Sequence, residues 1–175
     1  MVQEFVNSAD LEDGRDDFAD PRVLMRWFAQ RRLLEPGIVL TADDRERAVE
    51  FRESLRDALS RTADRPSARD TESPGVLSSI LFGVHLSPSG PELKASGSGV
   101  DAALASIMMI AIVAVADGTW HRLKVCTNDA CRWAYWDASR NRSGKWCSMG
   151  ICGNRTNVRA FRQRVRGDRI SHWQD

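Results

Sequence analysis

The sequence predicts an α+β protein that is mainly α: a helical N-terminal body with a small hairpin, then a four-cysteine module with a β-hairpin and an amphipathic, basic C-terminal helix. Three observations predict this fold class. Apolar residues recur at helical spacing between residues 23 and 59, a long apolar run ends just before residue 117, and every cysteine lies in the last fifty residues. We expect two domains, residues 1–119 and 120–175.

Two amphipathic helices are predicted in the first sixty residues. Asp20 followed by Pro21 is typical of a helix N-cap and first helical position, and Thr41 with Asp44 forms an approximate capping box. The expected buried faces are Val23, Leu24, Trp27 and Phe28 in the first helix, and Ala48, Phe51, Leu55 and Leu59 in the second. The expected solvated side of the second helix is Arg45, Glu46, Glu50, Arg52, Glu53 and Arg56.

The rest of the body is predicted as a loop at 61–75, a small hairpin at 83–94 with its turn near Pro88, and a third long helix. The third helix covers the apolar run 102–116. It is shorter than the roughly 20 residues that span a bilayer, so we expect a core helix buried on most sides and no membrane contact.

All four cysteines fall into two matched pairs, with the spacing C-x4-C-x15-C-x4-C: Cys126, Cys131, Cys147 and Cys152. A gap of four residues lets both thiolates of a pair turn toward one point. Two such knuckles together form the closed tetrahedral site favoured by structural Zn²⁺. The alternative is two disulfides, which need an oxidising compartment. The first 17 residues show no signal peptide, so we expect a cytoplasmic zinc protein.

The residues around the cysteines carry a resemblance. Lys124 precedes the first cysteine, Trp133-x-Tyr135-x-Asp137 follows the second, and the fourth begins Cys152-Gly153-Asn154-Arg155. Over about residues 120–166 the chain therefore resembles the CGNR zinc finger family. Phe5-Val6-Asn7 and the segment 24–27 are similar to the ABATE domain that accompanies this finger. The resemblance implies bound zinc and a role in stress-induced transcription regulation.

The aromatic residues of the module have two interpretations. We expect Trp133, Tyr135 and Trp146 to pack around the metal, because so small a module needs bulky side chains to cover it. The alternative is that they stack on unpaired bases of a nucleic acid. The roles of Trp136 and Trp173 are less constrained by the sequence. In the turn after Cys152, we expect Gly153 to take a positive φ and Asn154 to cap the last helix. For Arg155 two roles stay open, holding the knuckle or contacting DNA.

Charge separates the two halves of the chain. Residues 1–120 contain 13 Lys and Arg against 20 Asp and Glu, whereas residues 121–175 contain 12 against 4. In the last helix, which we expect to end at Gly167, Val158, Phe161 and Val165 predict a buried face. An arginine ridge follows the same helix: Arg155, Arg159, Arg162, Arg166 and Arg169. The loop between the knuckles adds Arg140, Arg142 and Lys145.

An uncompensated arginine ridge predicts contact with DNA, because guanidinium groups bind phosphates and guanine edges. We therefore expect a zinc-dependent DNA-binding transcription regulator. Three alternatives stay open: an RNA-binding protein, a zinc-stabilised adapter, and a helix docked on the acidic body. No catalytic function is expected, since none of the three histidines lies near an evident nucleophile or carboxylate pair. A homodimer and an effector of the body are left open, and the preference for Arg over Lys is typical of a GC-rich bacterial genome.

Overall fold

A computed structural model describes residues 1–61 and 82–171, and at residue 91 and residues 166–171 it describes the backbone alone. The helices are α1 (Val2–Val6), α2 (Pro21–Gln30), α3 (Ala42–Arg61), α4 (Gly99–Ala116) and α5 (Asn154–Ser171). The strands are β1 (Ala9–Asp10), β2 (Arg15–Asp16), β3 (Phe82–Ser87), β4 (Gly90–Ala95), β5 (Leu123–Val125) and β6 (Ala134–Trp136), paired antiparallel in sequence order. The predicted mainly helical α+β class is confirmed. The predicted loop beyond Arg61, and Trp173, lie outside the described residues.

Both predicted helix starts are confirmed. The Asp20 carboxylate accepts a hydrogen bond from the Arg22 N–H at 2.7 Å, with Pro21 at the first helical position. The capping box closes reciprocally, because the Thr41 N–H donates to Asp44 Oδ2 at 2.8 Å and the Asp44 N–H donates to Thr41 Oγ1 at 3.2 Å. These bonds satisfy amide groups that have no partner inside their own helix.

An aromatic cluster lies at the centre of the core. The Phe5 ring, fully buried on α1, has its centroid 5.5 to 6.2 Å from the rings of Phe18, Trp27, Phe28 and Phe51. The same core extends into the cysteine module, where its buried members are Leu123, Val125 and Ala134. The first strands of the module therefore bury their apolar side chains against the body.

The prediction that α4 is buried on most sides is wrong for its second half. Its fully buried side chains end near Ala111, whereas Ile110, Val113 and Val115 are 42%, 57% and 60% exposed. Within the described residues, the helix packs under the body as far as Ala111, and the side chains of its last turn are largely exposed. Among the described helices, α4 is long and apolar enough to cross a membrane, with 33% of it buried; by itself this is weak support for a span.

The prediction that Arg52 and Arg56 are solvated is also wrong, because both side chains are buried. Arg52 forms a bidentate pair with Asp16, at 2.7 and 2.8 Å, and donates to Ser8 Oγ at 3.2 Å. Burial opposes ionisation of Asp16, but the hydrogen bonds from Arg52 lower its pKa below the ordinary value. Helical periodicity shows which polar side chains share a face. It does not show that a distant residue supplies them with a buried hydrogen-bond partner.

The predicted hairpin is confirmed as β3 and β4, joined by a two-residue turn at Pro88 and Ser89. Its register pairs Val84 with Leu93. Val84, Leu86 and Leu93 are 73%, 88% and 48% exposed on the face they share. The hairpin therefore presents an apolar face to solvent.

Candidate metal centre and basic helix

The first knuckle, Cys126 to Cys131, is built on the β5–β6 hairpin. The Cys126 N–H extends the ladder by donating to the Trp133 carbonyl at 2.9 Å. The chain then turns so that the N–H groups of Cys131 and Arg132 both donate to the Asn128 carbonyl, at 2.9 and 3.0 Å. Arg132 completes the turn in the left-handed region, at φ 47°. The strands thus fix both ends of the knuckle.

The second knuckle, Cys147 to Cys152, contains a π-helical turn, Met149–Gly153, that leads directly into α5. The Gly153 N–H donates to the Ser148 carbonyl at 3.1 Å. The two knuckles are joined by a hydrogen bond from the Thr127 N–H to the Lys145 carbonyl at 2.9 Å. The start of α5 is consequently attached to the cysteine cluster.

The four sulfur atoms converge on one point, all lying within 4.8 Å of one another. Cys131 Sγ is 3.7 Å from Cys147 Sγ, which is 3.8 Å from Cys152 Sγ. A disulfide needs about 2.05 Å. Tetrahedral zinc with Zn–S bonds of about 2.3 Å requires sulfurs about 3.8 Å apart. The donor set and its spacing therefore fit a closed structural Zn²⁺ site held by all four cysteines.

The environment of the thiols also favours a cation. Burial raises the pKa of Cys131 to about 11, and the neighbouring Cys126 adds to the effect. Burial likewise raises the pKa of Cys147, whereas burial at Cys152 is outweighed by hydrogen bonds, led by the one from Asn128, which lower its pKa. Four thiolates in this space would repel one another near neutral pH, so a positive ion at their centre would stabilise the deprotonated set.

The aromatic residues Trp133, Tyr135 and Trp146 pack against the cysteine cluster, which is the position expected for them from the sequence. Trp136 points away from the cluster and is 50% exposed. In β6 the alternation of a strand thus places Tyr135 toward the cysteines and Ala134 in the body core. This one strand serves both the metal centre and the body.

Gly153 lies in a tight space, and the prediction of a positive φ there is wrong. A Cβ at this position would lie 2.6 Å from Met149 Sδ and 3.2 Å from Trp146 Cε3. Glycine is therefore required here because the backbone passes close to the side chains of Met149 and Trp146, and not because of its backbone conformation.

We expect Gly153→Ala to lower the free energy of unfolding by about 1 to 3 kcal/mol, because the Trp146 ring must shift away from the added methyl group. Urea unfolding followed by Trp fluorescence measures this. Gly150→Ala is the matched control: nothing lies within 4 Å of its Cβ position, in the same turn, so that variant should be at least as stable as the wild type. Equal stabilities for the two variants would contradict the steric explanation.

A buried ion pair organises the loop between the knuckles. Lys124 Nζ donates to Asp137 Oδ2 at 2.8 Å, and both residues are buried. The Asp137 carboxylate also accepts from the N–H groups of Ser139 and Gly144, at 3.0 and 2.9 Å. Burial opposes its ionisation, yet these hydrogen bonds hold the pKa of Asp137 well below its usual range. The buried Asp137 and Lys124 side chains therefore hold the loop that carries Arg140.

Helix α5 projects from the cysteine cluster, with every described side chain after Gly153 exposed. The prediction that Val158, Phe161 and Val165 form a buried face is wrong, since they are 40%, 61% and 37% exposed. Their periodicity is helical, but no described part of the chain covers them. At about 100° per residue, this apolar stripe lies about 90° around the helix from the arginine ridge.

Two predictions about the ends of α5 are also wrong. Asn154 was expected to cap the helix, but it has helical dihedral angles and is exposed, because the π-turn supplies the preceding turn. The sequence predicts a helix end at Gly167, but the helix passes through this position and includes Ser171, the last described residue. Glycine permits a C-terminal cap without imposing one.

The predicted contact residues lie on two surfaces. Arg155 forms an ion pair with Glu12 of the body. Arg159 and Arg162 are exposed further along α5, on an open surface lined by residues of this helix. The side chains of Arg166 and Arg169 lie outside the described residues, although α5 includes both positions. The second surface is the loop between the knuckles, where three exposed cations lie: Arg140, Arg142 and Lys145.

Sequence reasoning missed Asn7 and Arg56, two body residues that contact the first knuckle. Asn7 hydrogen-bonds both backbone groups of Ala134, and Arg56 donates to the Arg132 carbonyl at 2.9 Å. In the sequence, Phe5-Val6-Asn7 carries only the resemblance to ABATE, and Arg56 has the spacing of a solvated residue. Neither spacing nor periodicity relates these residues to strands more than 70 positions away.

Comparison with known families agrees with this architecture. Residues 122–165 match the CGNR zinc finger, and residues 1–118 match ABATE, described as "Putative stress-induced transcription regulator". A comparison with curated proteins finds no significant match. The first match covers the metal centre and most of α5, and the second covers the body up to the end of α4. The chain belongs to the ABATE family and carries a C-terminal CGNR zinc finger built to hold Zn²⁺.

Proposed function

We propose that the protein is a zinc-dependent, duplex-DNA-binding transcription regulator in which α5 contacts the DNA. The observation that carries this proposal is the exposed arginine ridge on a helix anchored to the metal centre. Arg159 and Arg162 project into solvent, and the sequence between Asp137 and Asp168 contains no carboxylate to neutralise them. An uncompensated cationic helix is unusual in a chain of net charge +1.

The dimensions of α5 fit a duplex groove. Its 18 residues extend over about 27 Å at about 1.5 Å per residue. The major groove is about 12 Å wide and admits an α-helix. Because the π-turn joins α5 to Cys152, a bound zinc would hold the ridge at a fixed angle to the knuckle loop, whose exposed cations supply additional phosphate contacts.

The remaining parts of the proposal concern regulation and location. The acidic body would respond to an effector or to self-association, and the protein would act in the bacterial cytoplasm as a binding protein, with no catalytic role. The matched family description supports transcription regulation. A second function, that of a protein-interaction adapter, is favoured by one observation: the exposed apolar stripe of Val158, Phe161 and Val165 along the same helix.

The double variant Arg159→Ala, Arg162→Ala tests the proposal. If about five phosphates are neutralised, log K falls against log salt with a slope of about −4.5 in the wild type, and the double variant loses up to about two units of slope. Fluorescence anisotropy with a labelled duplex, titrated at several salt concentrations, measures both quantities. Weaker binding to all sequences would indicate phosphate contacts, and altered preference at particular base pairs would indicate guanine readout.

Two controls separate position from charge, and the first of them matches the charge change of the double variant. Arg22→Ala, Arg26→Ala removes the same charge from exposed positions on α2, and Arg164→Ala removes one from the opposite face of α5. Both should bind DNA with nearly wild-type affinity, and all variants must retain zinc. No binding to duplex DNA at low salt, or equal losses in the α2 control, would contradict the proposal. Preferential binding of single-stranded RNA would favour stacking on Trp136.

A further inference from the structure

We infer that Asn7 and Arg56 of the body are positioning residues for the zinc site, so that the body sets how firmly the first knuckle retains its metal. This inference goes beyond DNA binding and does not depend on it. It concerns residues far from the cysteines in sequence, whose side chains form hydrogen bonds to backbone groups beside Cys131.

The Asn7 side chain forms, on the open edge of β6, the hydrogen bonds that a neighbouring strand would form. Its Nδ2 donates to the Ala134 carbonyl at 2.8 Å, and its Oδ1 accepts from the Ala134 N–H at 2.8 Å. The opposite edge of β6 pairs with β5. One side-chain amide therefore holds both the N–H and the carbonyl of Ala134, a buried residue three positions after Cys131. Among short polar side chains, only that of asparagine has a separate donor and acceptor placed to bond both groups at once.

Arg56 holds the turn of the knuckle itself. It is fully buried, and its Nη1 donates to the Arg132 carbonyl at 2.9 Å while its Nη2 donates to the Val6 carbonyl at 2.6 Å. Glu53 Oε2 accepts from Arg56 Nε at 2.9 Å. One guanidinium group thus ties α1 to the residue directly after Cys131.

The turn needs such support because Arg132 has a φ of 47°, a region that non-glycine residues adopt only at a cost. The Arg132 side chain is held as well, since its Nη2 donates to Asp57 Oδ1 at 2.5 Å. Arg56 and Asp57 of α3, with Asn7 directly after α1, therefore stabilise the backbone conformation that directs the Cys131 sulfur toward the other three. Zinc retention and body structure are then linked: zinc binding stabilises the body contacts, and loss of those contacts loosens the metal.

The test is the rate of zinc transfer from the full-length holoprotein to excess chromogenic chelator. Partners that orient metal ligands typically change metal affinity about 10- to 100-fold when removed. We expect Asn7→Leu and Asn7→Ser to release zinc at least about tenfold faster than the wild type, and we expect the absorption bands of their Co²⁺-substituted forms to shift, because the thiolate geometry changes.

Leu24→Ala is the matched control for general destabilisation, because Leu24 is a fully buried core residue on α2. That variant should melt at a temperature at least as low, yet release zinc nearly as slowly as the wild type and keep its Co²⁺ spectrum. If the Asn7 variants release zinc no faster than Leu24→Ala, or leave the Co²⁺ spectrum unchanged, the positioning role is excluded.

A gentler pair of variants covers the case in which the Asn7 variants do not fold. Asp57→Ala removes the exposed partner of the Arg132 side chain, whereas Asp101→Ala removes the partner of an equivalent ion pair with Arg47, elsewhere in the body. Faster zinc release in Asp57→Ala than in Asp101→Ala supports the inference, and equal rates in these two folded variants overturn it.

Discussion

Cys131→Ser should abolish zinc binding and destabilise the body as well as the finger. Structural zinc contributes about 10 to 16 kcal/mol in zinc-finger peptides, which is as large as the whole stability of a typical domain, about 5 to 15 kcal/mol. The finger's Leu123, Val125 and Ala134 are buried in the same core as Phe5. Loss of the metal therefore uncovers part of the body core, and the helical signal should melt at a much lower temperature.

Hydrogen exchange with and without chelator measures where the effect extends. Amides of β5 and β6 should lose protection completely, and amides of α1 should lose part of theirs because Asn7 and Arg56 no longer hold a formed strand. Ser148→Ala, adjacent to a ligand but not one, is the control and should retain about one Zn²⁺ per chain. Unchanged protection in α1 after metal removal, or purified protein with two disulfides and no zinc, would contradict this expectation.

The metal centre was predictable from the sequence because its signal is local. A gap of four residues between cysteines constrains where two sulfurs can lie, and the structure brings all four together. The helix starts at Asp20 and Thr41 were predictable for the same reason, since capping involves side chains within three residues of the amide they satisfy.

The errors arose where a side chain's environment is set by distant residues. Arg56 has the spacing of a solvated residue on α3, yet α1 and the finger supply carbonyl groups that make its burial favourable. Phe161 has the spacing of a buried residue, yet no described segment lies against it. The periodicity of a sequence shows which residues share a helix face. Whether that face is buried depends on tertiary contacts, which the periodicity does not reveal.

Ile107→Asp should unfold the protein, whereas Ile110→Asp, one turn later on α4, should have little effect. Ile107 is fully buried, so an aspartate there would place an unpaired charge in the core, with an expected loss of more than about 4 kcal/mol. Ile110 is 42% exposed, so its aspartate reaches water, and we expect a change of less than about 1.5 kcal/mol. Both variants make the same chemical change in the same helix, which removes helix propensity and net charge as explanations.

Thermal unfolding and size-exclusion chromatography of the two variants check this pair. A soluble, folded Ile110→Asp protein with the wild-type elution volume is the expected result. If Ile110→Asp instead alters the oligomeric state, or releases the protein from a membrane fraction, then Val113 and Val115 are covered in the cell, and the exposed half of α4 is a contact surface. If Ile107→Asp folds normally, α4 does not occupy the core beside Phe5. The pair therefore separates the half of this helix that builds the body from the half that extends beyond it.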